Sequence, residues 1–223
     1  MTIKSSLEFK KDELRKHFIK YTRQAFEMLP KLDRPHILDI GCGSGIPTLE
    51  LARLSGGEVV GLDIDQAALD ELNKKIEAEG LSARVRTMNC SMSNMDFPDE
   101  SFNIIWSEGS IALIGFTKGL KNWRKILKPN GFLVVHDEKG DISKKIEQIS
   151  NYGYKLLGHF ILSRDIWWSE YYVYLQRLID DIRKNSSDNP EIHSMIDSEQ
   201  REIDMFKSNP NRFSSIFFIM QKR

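Results

Sequence analysis

Cysteine is nearly absent from this chain, and so are any bias of charge and any long apolar run. The two cysteines, Cys42 and Cys90, are too few for a disulfide framework, and neither they nor the five histidines fall at metal-ligand spacing. Lys+Arg and Asp+Glu number 32 each, so the formal net charge is zero. That removes any general electrostatic attraction to nucleic acid or an anionic membrane, although a local basic patch stays open. The longest apolar runs, such as Phe132–Val135 and Ile216–Met220, are strand length, far short of the about 20 residues a spanning helix needs. The opening Met1-Thr2-Ile3-Lys4-Ser5-Ser6 lacks the apolar core of a secretory signal; with the sparse thiols, it sets the expectation of a cytoplasmic protein. No repeat, low-complexity tract or linker is visible. At 223 residues the chain is long enough for one α/β core and short for two, so a single domain over 1–223 is expected.

What the sequence does have is a glycine turn. Ile37-Leu38-Asp39-Ile40-Gly41-Cys42-Gly43-Ser44-Gly45 is a short apolar run ending in a carboxylate, followed by glycines at alternate positions and a helix-compatible stretch from Ile46 to Arg53. Such glycines let the backbone turn with positive φ and approach a ligand with no Cβ in the way. Val59-Val60-Gly61-Leu62-Asp63 then repeats the pattern of an apolar strand ending in an acid. A Gly-rich first turn with an acid closing the second strand is how a Rossmann-type half-sheet binds a nucleoside. The dinucleotide version fails on spacing, because G-x-G-x-x-G needs its third glycine where this chain has Ile46. Asp39 would also repel a pyrophosphate, whereas it suits a ligand carrying an ammonium group.

Around the turn, strands are expected at 36–40, 58–62, 83–88, Phe102–Trp106 and Phe132–His136, with helices at 46–55, 66–79 and 117–127. An amphipathic helix carrying Leu14, Phe18, Tyr21, Ala25 and Leu29 precedes them, and a helix at 141–150 and a strand at 154–162 follow. Alternating strands and helices imply parallel pairing with right-handed crossovers. In 163–212 the alternation lapses: a helix capped by Asp165 carries Trp167, Trp168, Tyr171 and Tyr172, the stretch Lys184–Pro190 reads as a loop, and a polar helix at 191–207 stops at Asn209-Pro210-Asn211.

The segment Asp39-Ile40-Gly41-Cys42-Gly43-Ser44-Gly45 closely resembles the first motif of class I S-adenosylmethionine-dependent methyltransferases. Met95-Asp96-Phe97-Pro98-Asp99-Glu100-Ser101-Phe102 is similar to the L-P-F-P-D-x-S-F segment of the subgroup related to ubiquinone and menaquinone methyltransferases. Trp106-Ser107-Glu108-Gly109-Ser110, with Gly115-Phe116 and Trp123, resembles the type 11 small-molecule methyltransferases. The resemblance is strong over 36–137 and holds only in outline on the flanks. It implies a Rossmann-like, doubly wound, seven-stranded, mostly parallel sheet whose last strand, Ser214–Met220, runs antiparallel. It also implies S-adenosylmethionine as cofactor, with residues 1–30 as a helical lid and 163–212 as an insertion over the substrate.

Carried over residue by residue, the resemblance places Gly41, Cys42, Gly43 and Gly45 beneath the methionine and ribose portions of the cofactor and gives Asp39 its amino-acid end. Asp63 takes both ribose hydroxyls and Ile64 lies along adenine. Ser91 and Met92 stand where many relatives have Asp-Ala beside adenine, so Ser91 is a weaker, uncharged acceptor. Ser107 falls where cofactor and substrate meet. Glu108, His136, Trp167, Trp168 and Tyr171 are the substrate-side residues, Glu108 and His136 doubling as the only side chains to weigh as catalytic. The Ser-Glu-Gly at 107–109 departs from the Asn-Pro-Pro-aromatic motif of nucleic-acid N-methyltransferases, which turns the expectation toward a small-molecule acceptor and away from nucleic acid.

Structural readings compete with several of these roles. Asp39 also reads as a turn-capping carboxylate, Glu108 as a helix cap, and His136 as a residue buried against a helix. Aromatics three and four apart on a helix, such as Trp167, Trp168, Tyr171 and Tyr172, also read as core. Tyr21, Thr22 and Arg23 either roof the cofactor or pack on the sheet edge. His17, His36, His159 and His193 have no motif context. Two other functions stay open: methylation of nucleic acid or protein, and a cofactor-binding partner subunit without turnover. Methyl transfer is an in-line displacement at a carbon activated by the cofactor, so no universal catalytic residue is required.

Overall fold

Short β-branched and aromatic runs separated by amphipathic helices place β1 (His36–Ile40), β2 (Glu58–Asp63), β3 (Val85–Asn89), β4 (Phe102–Glu108), β5 (Leu127–Glu138), β6 (Tyr154–Leu162) and β7 (Ser215–Lys222) in one sheet. The structure, a computed structural model, describes residues 10–185, 190–209 and 213–223. The strand order is β3-β2-β1-β4-β5-β7-β6. Strands β1 to β5 pair in parallel, and the last strand runs antiparallel. The order reverses between β1 and β4, the place where an open α/β sheet forms its ligand crevice.

The chain divides into two compact units, one of Ile19–Ile161 with Ile216–Arg223, the other of the residues up to Phe18 with Leu162–Ser215. In the first, the sheet unit, α1 (Ile19–Glu27), α2 (Ile46–Ser55), α3 (Gln66–Ala78), α4 (Phe116–Trp123) and α5 (Ile142–Asn151) flank the strands. Leu38, Ile40, Val60, Leu62, Ile105, Leu133 and Val135 pack with Leu120, Trp123 and Ile149 into one apolar cluster. Each such fully buried aliphatic side chain contributes about 1.5–3 kcal/mol relative to exposure. Asp65 caps α3 by accepting from the backbone N–H groups of Ala67 and Ala68, and Asp141 caps α5 through that of Lys144.

The second, helical unit holds α6 (Arg164–Trp167), a π-helical turn at Trp168–Tyr172, α7 (Val173–Asn185) and α8 (Pro190–Ser208). It has its own core of Tyr171, Tyr172, Leu175, Ile179, Ile196, Ile203 and Phe206, against which Leu14, Phe18, Trp167 and Trp168 pack. The segment expected as an insertion thus builds a hydrophobic cluster of its own. The loop expected at Lys184–Pro190 and the turn at Asn209-Pro210-Asn211 lie in part outside the described residues, at 186–189 and 210–212. Among the described residues no helix is long and apolar enough to cross a membrane.

Four elements differ most from the sequence expectation. The cap of α6 is Ser163, whose Oγ accepts from the Ile166 N–H, while Asp165 lies within the first turn, where its charge favours the positive helix end. The helix expected at 117–127 stops at Trp123, and the strand expected from Phe132 already begins at Leu127. Leu127 pairs with Phe102 and Phe132 with Ile104, so the Pro129-Asn130-Gly131 turn is a bulge within β5. The leading helix is interrupted by a 3-10 turn at Lys16–Phe18, so that Leu14 and Phe18 serve the helical core and Thr22 and Ala25 are buried in the sheet unit.

Candidate cofactor and acceptor site

Strand register gathers the acidic residues. Asp39 pairs with Gly61 on β2 and with Trp106 on β4, and Glu108 pairs with His136 on β5. Side chains two apart on a strand share a face, so Asp39, Asp63, Glu108 and His136 project from one face at the C-terminal ends of adjoining strands. Ser107 belongs to the other face: it is fully buried, its Oγ lies 2.7 Å from Ser110 Oγ, and Ser110 donates to the Ile40 carbonyl at 2.6 Å.

The three glycines of the turn have separate duties. All have positive φ, at 74°, 51° and 84° for Gly41, Gly43 and Gly45. A Cβ at Gly41 would meet Ser110 Cβ at 2.4 Å, and one at Gly45 would meet Leu72 Cδ1 at 2.1 Å. These two bring backbone against protein. A Cβ at Gly43 would meet nothing within 4 Å. Gly43 alone of the three presents its backbone to open space, which is what a turn cradling a ligand requires. Cys42 is buried beneath the turn, its Sγ 3.0 Å from a Cβ built on Gly61, and burial pushes its thiol above the ordinary range.

Asp63 stands at the end of β2 with both oxygens oriented by backbone. The Gly43 N–H donates to Oδ2 at 2.8 Å and the Asp65 N–H to Oδ1 at 3.0 Å. An ionised carboxylate has about four acceptor sites, so the remaining lone pairs can take further hydroxyls. Next to it Ile64 is 69% exposed, unusual for an aliphatic side chain and suited to the face of a flat ring. Ser91 is exposed at the turn after β3, with the Ser93 N–H 3.3 Å from its Oγ, and half-buried Met92 packs on the core with its Cε toward Gly41.

Asp39, 1% exposed, accepts from Thr48 Oγ1 at 2.6 Å. Burial raises its carboxyl to about 7 against the pull of Thr48, with the nearby Asp63 charge adding to the rise. Glu108 receives two donors on one oxygen, Trp106 Nε1 at 2.7 Å and Thr22 Oγ1 at 2.9 Å, both on Oε1. Burial lifts it also to about 7, the two donors opposing and Asp39 reinforcing the shift. Arg23 of α1 is engaged with Glu50 at 2.5 Å, and Glu50 with Arg53. Among the described residues no ion pair joins Asp39, Asp63 or Glu108 to a cation. His136 stacks on Phe217 at 4.3 Å between ring centroids, and burial lowers it to about 3, leaving a neutral ring and a weak base near pH 7.

Thus Asp39, Gly41, Cys42, Gly43, Gly45, Asp63, Glu108 and His136 come together at one end of the sheet, with Ile64, Ser91 and Met92 on the turns after β2 and β3. Trp167, Trp168 and Tyr171 belong to the helical unit. Trp167 Nε1 donates to Ser215 Oγ at 2.9 Å, Trp168 stacks on Phe206, and Tyr171 is buried in that core. Sequence reasoning missed Thr48, Ser110 and Leu72, and it named Thr22 without its bond to Glu108. The only sequence signal for Thr48 is its place in the first turn of the helix after the glycines.

Residues 37–131 match the family model described as a methyltransferase domain. The chain is 30% identical over 117 residues to the methyltransferase GfsG of Streptomyces halstedii, covering 52% of this chain and 42% of that protein. The chain spans less than half the length of such curated relatives. Among solved structures, a SAM-dependent methyltransferase from Geobacter sulfurreducens in complex with S-adenosyl-L-homocysteine is similar with a TM-score of 0.72 at 15% identity, over 93% of this chain and 90% of that one. The [4+2]-cyclase SpnF is similar with a TM-score of 0.74 at 17% identity, over 91% and 80%.

Proposed function

We propose that this chain, whose residues 37–131 match the methyltransferase-domain family model, is a class I S-adenosylmethionine-dependent methyltransferase that acts on a small-molecule acceptor, with the cofactor held at the ends of β1, β2 and β4. The observation that carries the reading is Gly43: a positive-φ glycine open to space, whose N–H orients the Asp63 carboxylate. When bound, the cofactor supplies an electrophilic methyl carbon on a sulfonium. Asp63 takes the ribose hydroxyls, exposed Ile64 and the Ser91–Met92 turn flank adenine, and Asp39, fixed by Thr48, orders the amino-acid end together with Gly41. Cys42, Gly45 and Ser107 support this arrangement from within, through packing and backbone.

Glu108 and His136 face the acceptor side. Glu108, near 7, is the one suited to hold an acceptor proton; His136, buried and neutral, shapes the pocket. Trp167, Trp168 and Tyr171 of the helical unit are proposed as further acceptor contacts on the strength of the resemblance alone. The neutral charge balance and the free thiols Cys42 and Cys90 suit a cytoplasmic enzyme acting on a small molecule. A second reading, other chemistry on the same scaffold, is favoured by the likeness to a protein titled a [4+2]-cyclase, because one fold serves several reactions.

The test is formation of S-adenosylhomocysteine from S-adenosylmethionine with pooled phenols, amines and apolar alkenes, beside pooled RNA, DNA and peptides. Turnover with a small-molecule pool alone is expected. Turnover confined to a polymer pool, or none with any pool despite cofactor binding, would contradict it.

A further inference from the structure

Glu108 has a setting that positioning of a cofactor alone does not explain. Glu108 stands two residues beyond Trp106 on β4, and Trp106 is in register with Asp39, so the two carboxyls share a face at the ends of these strands. Thr22 and Trp106 both donate to Oε1, which fixes the carboxyl plane and leaves Oε2 to take neither of them. The ionisable groups on the surrounding elements are Asp39 on β1, Asp63 on β2, His136 on β5, and Lys20, Arg23 and Glu27 on α1. Arg23 is committed to Glu50, Lys20 lies over the Tyr21 ring, and His136 is held neutral by burial. On the neighbouring face of β5 Asp137 is paired with Lys145, but Asp39, Asp63 and Glu108 have no ion-paired cation among the described residues, and Asp39 is almost completely buried.

S-Adenosylmethionine and S-adenosylhomocysteine differ by a methyl group and a positive charge on sulfur. A partly buried carboxyl beside an acidic neighbour responds strongly to such a charge and little to its absence. Resting on the cofactor reading above, we propose that Glu108 is the group by which this site tells the charged cofactor from its uncharged product, ionised opposite the sulfonium and protonated once that charge is gone. The Glu108 O–H bond breaks as the cation enters, its proton going to solvent and its electron pair staying on the carboxylate, and forms again with a solvent proton after the charge has left; no bond between heavy atoms of the protein changes. Thr22 acts as a positioning residue, since its donated bond favours the ionised form. Because Glu108 rests near 7 without ligand, cofactor binding tightens with pH below that value relative to product binding and levels off above it, while any proton Asp39 yields to the ammonium is common to both ligands.

The experiment is calorimetric titration of the full chain with each of the two ligands, in buffers of different ionisation enthalpy, from pH 5.5 to 8.5. More proton release near pH 7, by up to one proton, is expected with S-adenosylmethionine than with S-adenosylhomocysteine. The affinity ratio of the two should rise by up to about tenfold per pH unit below 7. Glu108→Gln should make that ratio independent of pH, and Thr22→Val should move its window to higher pH with Thr22→Ser restoring it. Equal proton release with both ligands overturns the inference and leaves the cofactor reading standing. So does a difference that survives in Glu108→Gln but vanishes in Asp39→Asn. Failure of either ligand to bind the wild-type chain overturns the cofactor reading itself.

Discussion

At the scale of single residues, the glycine turn shows how one motif divides its labour. Gly45 is a glycine because Leu72 occupies the place of its Cβ, and Gly43 is one although nothing does. Gly45→Ala should therefore cost stability, about 1–3 kcal/mol for overpacking in addition to its strained φ, and lower the melting temperature. Gly43→Ala should cost only the about 1–2 kcal/mol of its positive φ, with no clash, and lose at least about tenfold in affinity for S-adenosylhomocysteine, since its methyl enters the ligand space. Melting curves and titrations of the two variants separate these outcomes; equal effects on both readouts would contradict the assignment. The glycines and Asp63 were legible because their spacing is local. Thr48 was not, because its reason for being there is the Asp39 carboxyl brought to it only when β1 and α2 pack. The same holds for Ser110 under Gly41, a contact across the sheet that no local pattern encodes.

At the scale of elements, the strands β1 and β6 and the helix α2 have the bounds their apolar spacing predicts. The errors fell where one sequence satisfies two patterns. Ile126 and Leu127 continue the apolar spacing of α4 and equally begin a strand; pairing of Leu127 with Phe102 decides for the strand. The Pro129-Asn130-Gly131 signal is real, since Asn130 sits at φ 59°, but the excursion is a bulge rather than a terminus. Likewise Ser163 and Asp165 are both good caps, and the extended backbone at Ser163 (ψ 164°) settles which one the helix uses. The aromatic group 167–172 was read as either pocket or core. Its rings do form a core, with Tyr172 Oη donating to Glu202 Oε1 at 3.0 Å, while Trp167 and Trp168 stay half-buried.

At the scale of the whole molecule, one buried and one partly buried carboxyl, neither ion-paired among the described residues, make stability depend on pH. Asp39 and Glu108 both rest near 7 in the folded chain, above their ordinary values of 3.8 and 4.5. Between about pH 4 and 7 they hold protons in the folded state that the unfolded chain has released, so their contribution is full below that window and is lost as pH rises through it. Buried His136 pulls the other way below its ordinary value of 6.5, so the clean comparison is with a variant. Asp39→Asn, which keeps an acceptor for Thr48, should gain melting temperature relative to wild type as pH goes from 5 to 8. A difference that does not change with pH would mean that Asp39 is not protonated in the folded chain. The central claim, that this sheet end binds S-adenosylmethionine through Asp63, is tested most directly by thermal-shift titration with S-adenosylhomocysteine, using NAD and Asp63→Ala as controls. At a hundredfold excess over the dissociation constant one-site binding adds about 2.7 kcal/mol, which for this length raises the melting temperature by roughly 5–10 °C. The account predicts that rise with S-adenosylhomocysteine alone and its loss in Asp63→Ala; a rise with NAD instead, or an undiminished rise in the variant, would contradict it.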